Sequence, residues 1–166
     1  GAVGFLDPAP GLPDGFLRTS ARTPNRTGAR GLGFEVAPPD WGKIAATSEL
    51  ILLFAPPVLE PAAAAGTAEA WRPVRTKILL APRACGLEEG ADLILPTVLP
   101  AEKDGSWTGI DGVVRSFAPA IEAPGDAAPE WRILTGLAAE IGLGAVAGLT
   151  AFARVREACA RNHPLL

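Results

Sequence analysis

Cysteine is scarce in this 166-residue chain, and histidine scarcer still. Only Cys85 and Cys159 are present, and no C-x-x-C occurs. A cysteine-ligated iron–sulfur cluster or structural zinc site built from this chain alone is therefore excluded. Their spacing gives no support for a disulfide, and the composition fits a reducing compartment. The single histidine, His163, lies beside Pro164 near the end of the sequence. It reads as a solvated tail residue, not as the base of a Ser-His-Asp or Cys-His site. No stretch reaches about 18 uninterrupted apolar residues, so no membrane span is expected. The first residues, Gly1 to Asp7, lack a basic region and a long apolar run, which predicts no signal peptide. A basic excess is missing too: the net charge is −3 and the pI about 5.2. Nucleic-acid binding needs clustered Lys and Arg to neutralise phosphates, so that class is excluded. Arg18, Arg22, Arg26 and Arg30 are scattered through turns and read as surface solubility or contact with an acidic partner.

What the chain does have is apolar residues, at 48 %, enough for one domain with a real core. Gly 19 and Pro 17 are both high and predict many turns. Residues 1–40 hold most of the early turn signals and no clear helical period, which predicts an extended, turn-rich arm. Residues 41–166 form the expected α/β domain. In it, the run at 49–55 is continuously apolar and closed by Pro56-Pro57. Such a run suits a strand buried on both faces of a parallel sheet. An Ala-rich helix is predicted over 59–71, a second strand over 76–81 and a third over 91–95. Strand, helix, strand, loop, strand implies a partial parallel sheet flanked by helices, of Rossmann type. Too few strands are present for a full doubly wound sheet. The open edge needs a cover, so another chain is expected to supply the rest. Short extended pieces follow at 105–108 and 113–117. A helix is predicted from Pro129-Glu130-Trp131, with Trp131, Leu134, Leu137/Ala138 and Ile141 on one face, ending at Gly142 and Gly144. A last helix spans about 149–161, with Leu149, Phe152 and Val155 inward.

The stretch 91–115, ADLILPTVLPAEKDGSWTGIDGVVR, resembles the ADVVLP…EKDGTFTN.EGRVQ signature of the molybdopterin oxidoreductase superfamily. Residues 129–142 resemble its P-x-W-x-I-L-x-x-L-A-x-x-x-G pattern, and Asn25 to Gly33 its upstream N-x-x-G-A-x-x-x-G segment. Within the superfamily the chain looks most like the C-terminal, molybdopterin-oxidoreductase-like domain found in NADH-quinone oxidoreductase, complex I. The resemblance spans about 24–160 and omits the family's cluster-ligating N-terminal part. It implies a structural subunit of the peripheral arm, with FMN and iron–sulfur clusters in partner subunits, especially the cluster-bearing chain that this one would contact. It also implies a peripheral position on the cytoplasmic or matrix side of an energy-transducing membrane. The alternative is a piece of a molybdenum or tungsten bis-pterin oxidoreductase, formate-dehydrogenase-like, completed by a partner chain.

The resemblance also bears on cofactors. Cofactor-bearing relatives place Asn, Arg and Gln where this sequence has Gly109, Val113 and Arg115. Two of three polar groups suited to a pterin and its phosphates are thus gone. No cofactor-binding, catalytic or metal residue is expected here. The remaining candidates have plainer readings. Gly28, Gly31 and Gly33 lack the preceding strand and the G-x-G-x-x-G spacing of a phosphate loop. Asp92 reads as a cap at a strand start, and Glu102-Lys103-Asp104-Gly105 as a solvated turn with local charge pairing, not as an acid–base pair. Cys85 is flanked by Arg83 but opposed by Glu88 and Glu89, which argues against a reactive thiol. Trp41, Trp71, Trp107 and Trp131 read as packing anchors.

Overall fold

The computed structural model describes residues 25–34, 40–55, 61–109 and 111–162. Its centre is a three-stranded parallel sheet of β1 (Leu50–Phe54), β2 (Thr76–Ala81) and β3 (Leu93–Pro96), in the order β1-β2-β3. Leu50 pairs with Thr76 and Phe54 with Leu80, while Ile78 pairs with Leu93 and Ala81 with Pro96. Helix α3 (Pro61–Trp71) crosses from β1 to β2, as the Ala-rich run predicts. A shorter link carrying a 3-10 turn at Glu88–Gly90 joins β2 to β3. The predicted strands are all present, with ends shifted by one or two residues.

Burial explains why β2 is central. Leu79, Leu80 and Ala81 are buried there, and Leu79 packs with Trp71 of α3 and with Leu87 from the link. Each large side chain gains the transfer free energy of a fully desolvated apolar group, about 1.5–3 kcal/mol. The outer strands differ. Leu50 and Phe54 of β1 are 50 % and 44 % exposed, and Leu93 and Ile94 of β3 are 49 % and 44 % exposed. The predicted uncovered edge is therefore present on both sides of this chain's sheet.

Helix α2 (Trp41–Thr47) precedes β1 and has no counterpart in the sequence expectation. It starts where the Asp40 carboxylate accepts the Lys43 N–H at 3.0 Å, an N-cap that satisfies an otherwise orphaned donor. Trp41 then packs beside the core around Trp71. Most of residues 1–40 lie outside the described residues. The described part, 25–34, is not extended: Arg26–Gly31 form the short helix α1.

Beyond the sheet, β4 (Gly105–Thr108) and β5 (Val114–Phe117) pair antiparallel as a hairpin. Gly105 sits opposite Phe117, and a Cβ at 105 would collide with the Cζ end of the Phe117 ring. Glycine is needed there because an aromatic ring lies across the hairpin on its backbone. Trp107 packs edge-on against the same ring, with centroids 6.0 Å apart. Helix α4 (Glu130–Glu140) follows, then the short helix α5 (Gly144–Ala147) and α6 (Phe152–Asn162). Gly142, at φ 77, ends α4 in the left-handed conformation that favours glycine. The apolar face expected on α4 is only partly covered: Ala138 is buried, but Leu134 is 37 % and Ile141 71 % exposed. Periodicity places residues on one face and does not supply the surface that covers it. Leu149, Phe152 and Val155 are half-buried, and the Arg156 guanidinium donates to the Ser116 hydroxyl, tying α6 to β5.

Replacing Leu79 by Ala should lower the unfolding free energy by about 2–5 kcal/mol in urea denaturation, since the site is enclosed on all sides. Replacing Gly105 by Ala should cost about 1–3 kcal/mol by overpacking the Phe117 ring. Gly136→Ala, in α4 with open space around it, should not reproduce that ring displacement, which near-UV circular dichroism of Trp107 reports.

Candidate functional site

The segment from Pro96 to Phe117 carries the strongest sequence signature, and the structure gives it three local features. The first is its anchoring. Thr97 donates its backbone N–H to Ala81 O at 3.0 Å, continuing the β2–β3 ladder past Pro96. Leu99 N–H then donates to the Glu102 carboxylate at 2.7 Å, closing a 3-10 turn over Pro100–Glu102. Glu102 is thereby a turn residue. Lys103 corrects the expectation of a solvated, locally paired turn. Its side chain is 19 % exposed and its ammonium contacts both Glu130 oxygens, at 2.7 and 2.5 Å, 27 residues away. The pair fixes the turn to the first residue of α4. Sequence spacing carries no signal for a partner that distant.

The second feature is the docking of α1. The Asn25 side-chain oxygen accepts the Thr108 N–H at 3.0 Å, a contact across 83 residues. Asn25 itself is held at φ 67. A Cβ on Gly28 would collide with Thr108 Oγ1 and Asn25 Oδ1. Gly28 therefore permits close approach of helix to hairpin.

The third feature is the β4–β5 turn. Gly109 N–H donates to Val113 O at 2.9 Å and Gly112 N–H to Gly109 O at 3.0 Å. Asp111 accepts the Val113 N–H at 3.0 Å. It also meets Arg115 in a two-point pair, Oδ1 to Nη1 at 3.0 Å and Oδ2 to Nη2 at 2.6 Å. The Arg115 guanidinium, then the Val113 N–H, hold the Asp111 carboxyl well below the usual carboxylate range. Arg115 is pushed up in turn by the same hydrogen bonds. Val113 is 50 % exposed.

Other candidates are dispersed. Asp92 accepts Lys77 N–H at 2.7 Å and pairs with its ammonium at 3.1 Å, which makes it a clip at the start of β3. These contacts lower its pKa, the Lys77 backbone hydrogen bond most. Glu88 accepts the N–H groups of Cys85 and Gly86 at 2.5 and 2.9 Å, and the Cys85 bond leads in lowering its pKa. Burial, then the nearby Glu88 charge, raise the Cys85 thiol pKa against an opposing backbone hydrogen bond, so it is not an activated thiolate. Trp71 and Trp131 are packing residues whose indole N–H groups lie buried without a partner among the described residues. His163 lies outside the described residues. Among the described residues no group of three or more His, Cys, Asp and Glu could hold a metal ion, and no helix is long and apolar enough to cross a membrane.

A family model for molybdopterin oxidoreductase matches residues 47–140, from the end of α2 to the end of α4. The chain belongs to the molybdopterin oxidoreductase family. It is similar to the F420-dependent formate dehydrogenase 2 subunit alpha of Methanococcus maripaludis, 44 % identical over 54 residues, 32 % of this chain and 8 % of that protein. The F420-dependent formate dehydrogenase subunit alpha of Methanocaldococcus jannaschii is 39 % identical over 54 residues, again 32 % of this chain and 8 % of the relative. The NADPH-Fe(3+) oxidoreductase subunit alpha of Geobacter sulfurreducens is 45 % identical over 47 residues, 28 % of this chain and 6 % of the relative. The matches thus span less than a tenth of these relatives' length. The likeness is to alpha subunits of such enzymes and is not specific to complex I.

The family name implies a molybdopterin group, and the β4–β5 turn can be tested against it. Gly109 offers no side chain, and Val113 presents a hydrocarbon. The Arg115 guanidinium is engaged through Nη1 and Nη2 by Asp111. These residues do not fit a phosphate-bearing cofactor, because the turn adds a carboxylate and leaves its one cation paired.

Two measurements follow. In a double-mutant cycle, Lys103→Met and Glu130→Gln should each destabilise by about 1–3 kcal/mol, between exposed and fully buried pairs, and the double mutant by less than the sum. The Glu88 contribution is complete above its ordinary pKa of 4.5 and is lost as pH falls toward the lowered folded value. Glu88→Gln should flatten the acid-unfolding curve in that window, followed by tryptophan fluorescence.

Proposed function

We propose that this chain is a scaffold segment of a molybdenum or tungsten bis-pterin oxidoreductase of the formate-dehydrogenase type. The observation that carries the reading is the local identity to formate dehydrogenase alpha subunits from two methanogens. The fold is compatible with it. Both edge strands of the β1–β3 sheet expose large apolar residues, and unpaired parallel strands of this kind require cover. A partner chain, or the remainder of a longer polypeptide, provides it. The reducing centre and the substrate would then lie in that remainder, and this chain would set the position of the strand ends and of the 97–104 turn.

A second reading has its own support. The poor fit of Gly109, Val113 and Arg115 to a pterin favours a cofactor-free structural part of a complex I-type NADH:quinone oxidoreductase. FMN and iron–sulfur clusters would then sit in other chains of a peripheral arm.

One preparation separates the two. Purification of the native assembly through this chain, with metal analysis and mass spectrometry, should yield molybdenum or tungsten near one per assembly. Absence of both metals, with NADH-binding and quinone-reducing subunits present, would transfer the assignment to the second reading.

A further inference from the structure

The β4–β5 turn is more than a site that has lost polar groups. A Cβ built on Gly109 would lie 2.5 Å from Asp111 Oδ1 and 2.7 Å from Arg115 Nη1. The Asp111–Arg115 pair therefore stands in the space that any side chain at 109 would occupy. The φ of Gly109 is not in the left-handed region, and the close atoms are the ends of two side chains, not backbone. What glycine permits here is the pair itself. The two-point geometry uses the Nη1–Nη2 edge, one of the edges with which an arginine holds a phosphate, and sets a carboxylate beside the rest of the guanidinium. Asp111 is additionally fixed by the Val113 N–H, so its carboxylate is aimed at Arg115 by the turn.

We propose that Asp111 is a specificity-determining residue that keeps phosphate-bearing ligands off this turn by occupying Arg115, and that Gly109 is what lets it do so. In a pterin-containing assembly the phosphates are consequently held by residues outside this hairpin. Only that last statement rests on the function proposed above; the occupation of Arg115 does not. The arrangement makes the turn an anion-refusing surface with a latent anion site beneath it. Two substitutions should expose that site by different routes. Asp111→Asn removes the competing charge, and Gly109→Ala displaces the pair sterically.

The test is titration of pyrophosphate into the purified native assembly that contains this chain, by calorimetry. The wild-type protein should bind pyrophosphate no more tightly than its Arg115→Ala variant. Asp111→Asn should bind about fivefold more tightly, the scale set by releasing one exposed charge pair. Gly109→Ala should gain in the same direction, and adding Arg115→Ala should erase both gains. Wild-type binding that Arg115→Ala abolishes would overturn the proposal, as would failure of Asp111→Asn to gain. The molybdenum or tungsten content of the same wild-type preparation reads the functional assignment and leaves the pyrophosphate result unaffected.

Discussion

Burial of β2 organises the described fold. Its backbone is hydrogen-bonded on both sides, to β1 and to β3. Its side chains Leu79, Leu80 and Ala81 are enclosed. A parallel strand cannot pair locally, so β2 gathers segments separated in sequence before it stabilises anything. Trp71, at the end of α3, closes one side of it, and Leu87, in the link to β3, packs in the same cluster. The register that sets Ala81 against Pro96 also sets where the chain leaves the sheet. The position of the 97–104 turn, and of everything after it, follows from that register.

The hairpin is then held from outside the sheet. Lys103 ties its approach to α4 through Glu130, Asn25 ties β4 to α1, and Arg156 ties β5 to α6. These polar contacts couple elements that share little apolar surface. They explain how a turn-rich segment with many glycines and prolines keeps one shape. They also give several residues of the 102–105 stretch a structural role in this chain. Gly105 accommodates the Phe117 ring, Lys103 reaches α4, and Glu102 closes its own turn. Each serves the shape of the segment.

Function follows from the same division. The sheet leaves apolar residues exposed on both outer strands, a surface suited to packing against further structure. The β4–β5 turn has turned inward electrostatically, its cation and carboxylate satisfying each other. This is the turn at which cofactor-bearing relatives are expected to place polar side chains, and here its charged groups pair with each other.

Local sequence was enough for the secondary elements of the sheet and for the family. The signals are short-range: apolar runs of strand length between prolines, an Ala-rich helix, and motif residues such as Glu102 to Gly105. The short helix α1 escaped that reading, because Asn25 to Gly33 look like turn residues and the helix is held by docking on Thr108. The exposed Ile141 escaped it as well, because a helical period says which residues share a face and not whether anything covers that face. Folding alone supplied the partners of Lys103 and Asn25, which lie 27 and 83 residues away. It also supplied the meaning of Gly109. As a letter in the sequence it is a lost side chain. In the fold it is the space filled by the Asp111–Arg115 pair, since only a folded hairpin brings those two side chains over the residue that leaves room for them.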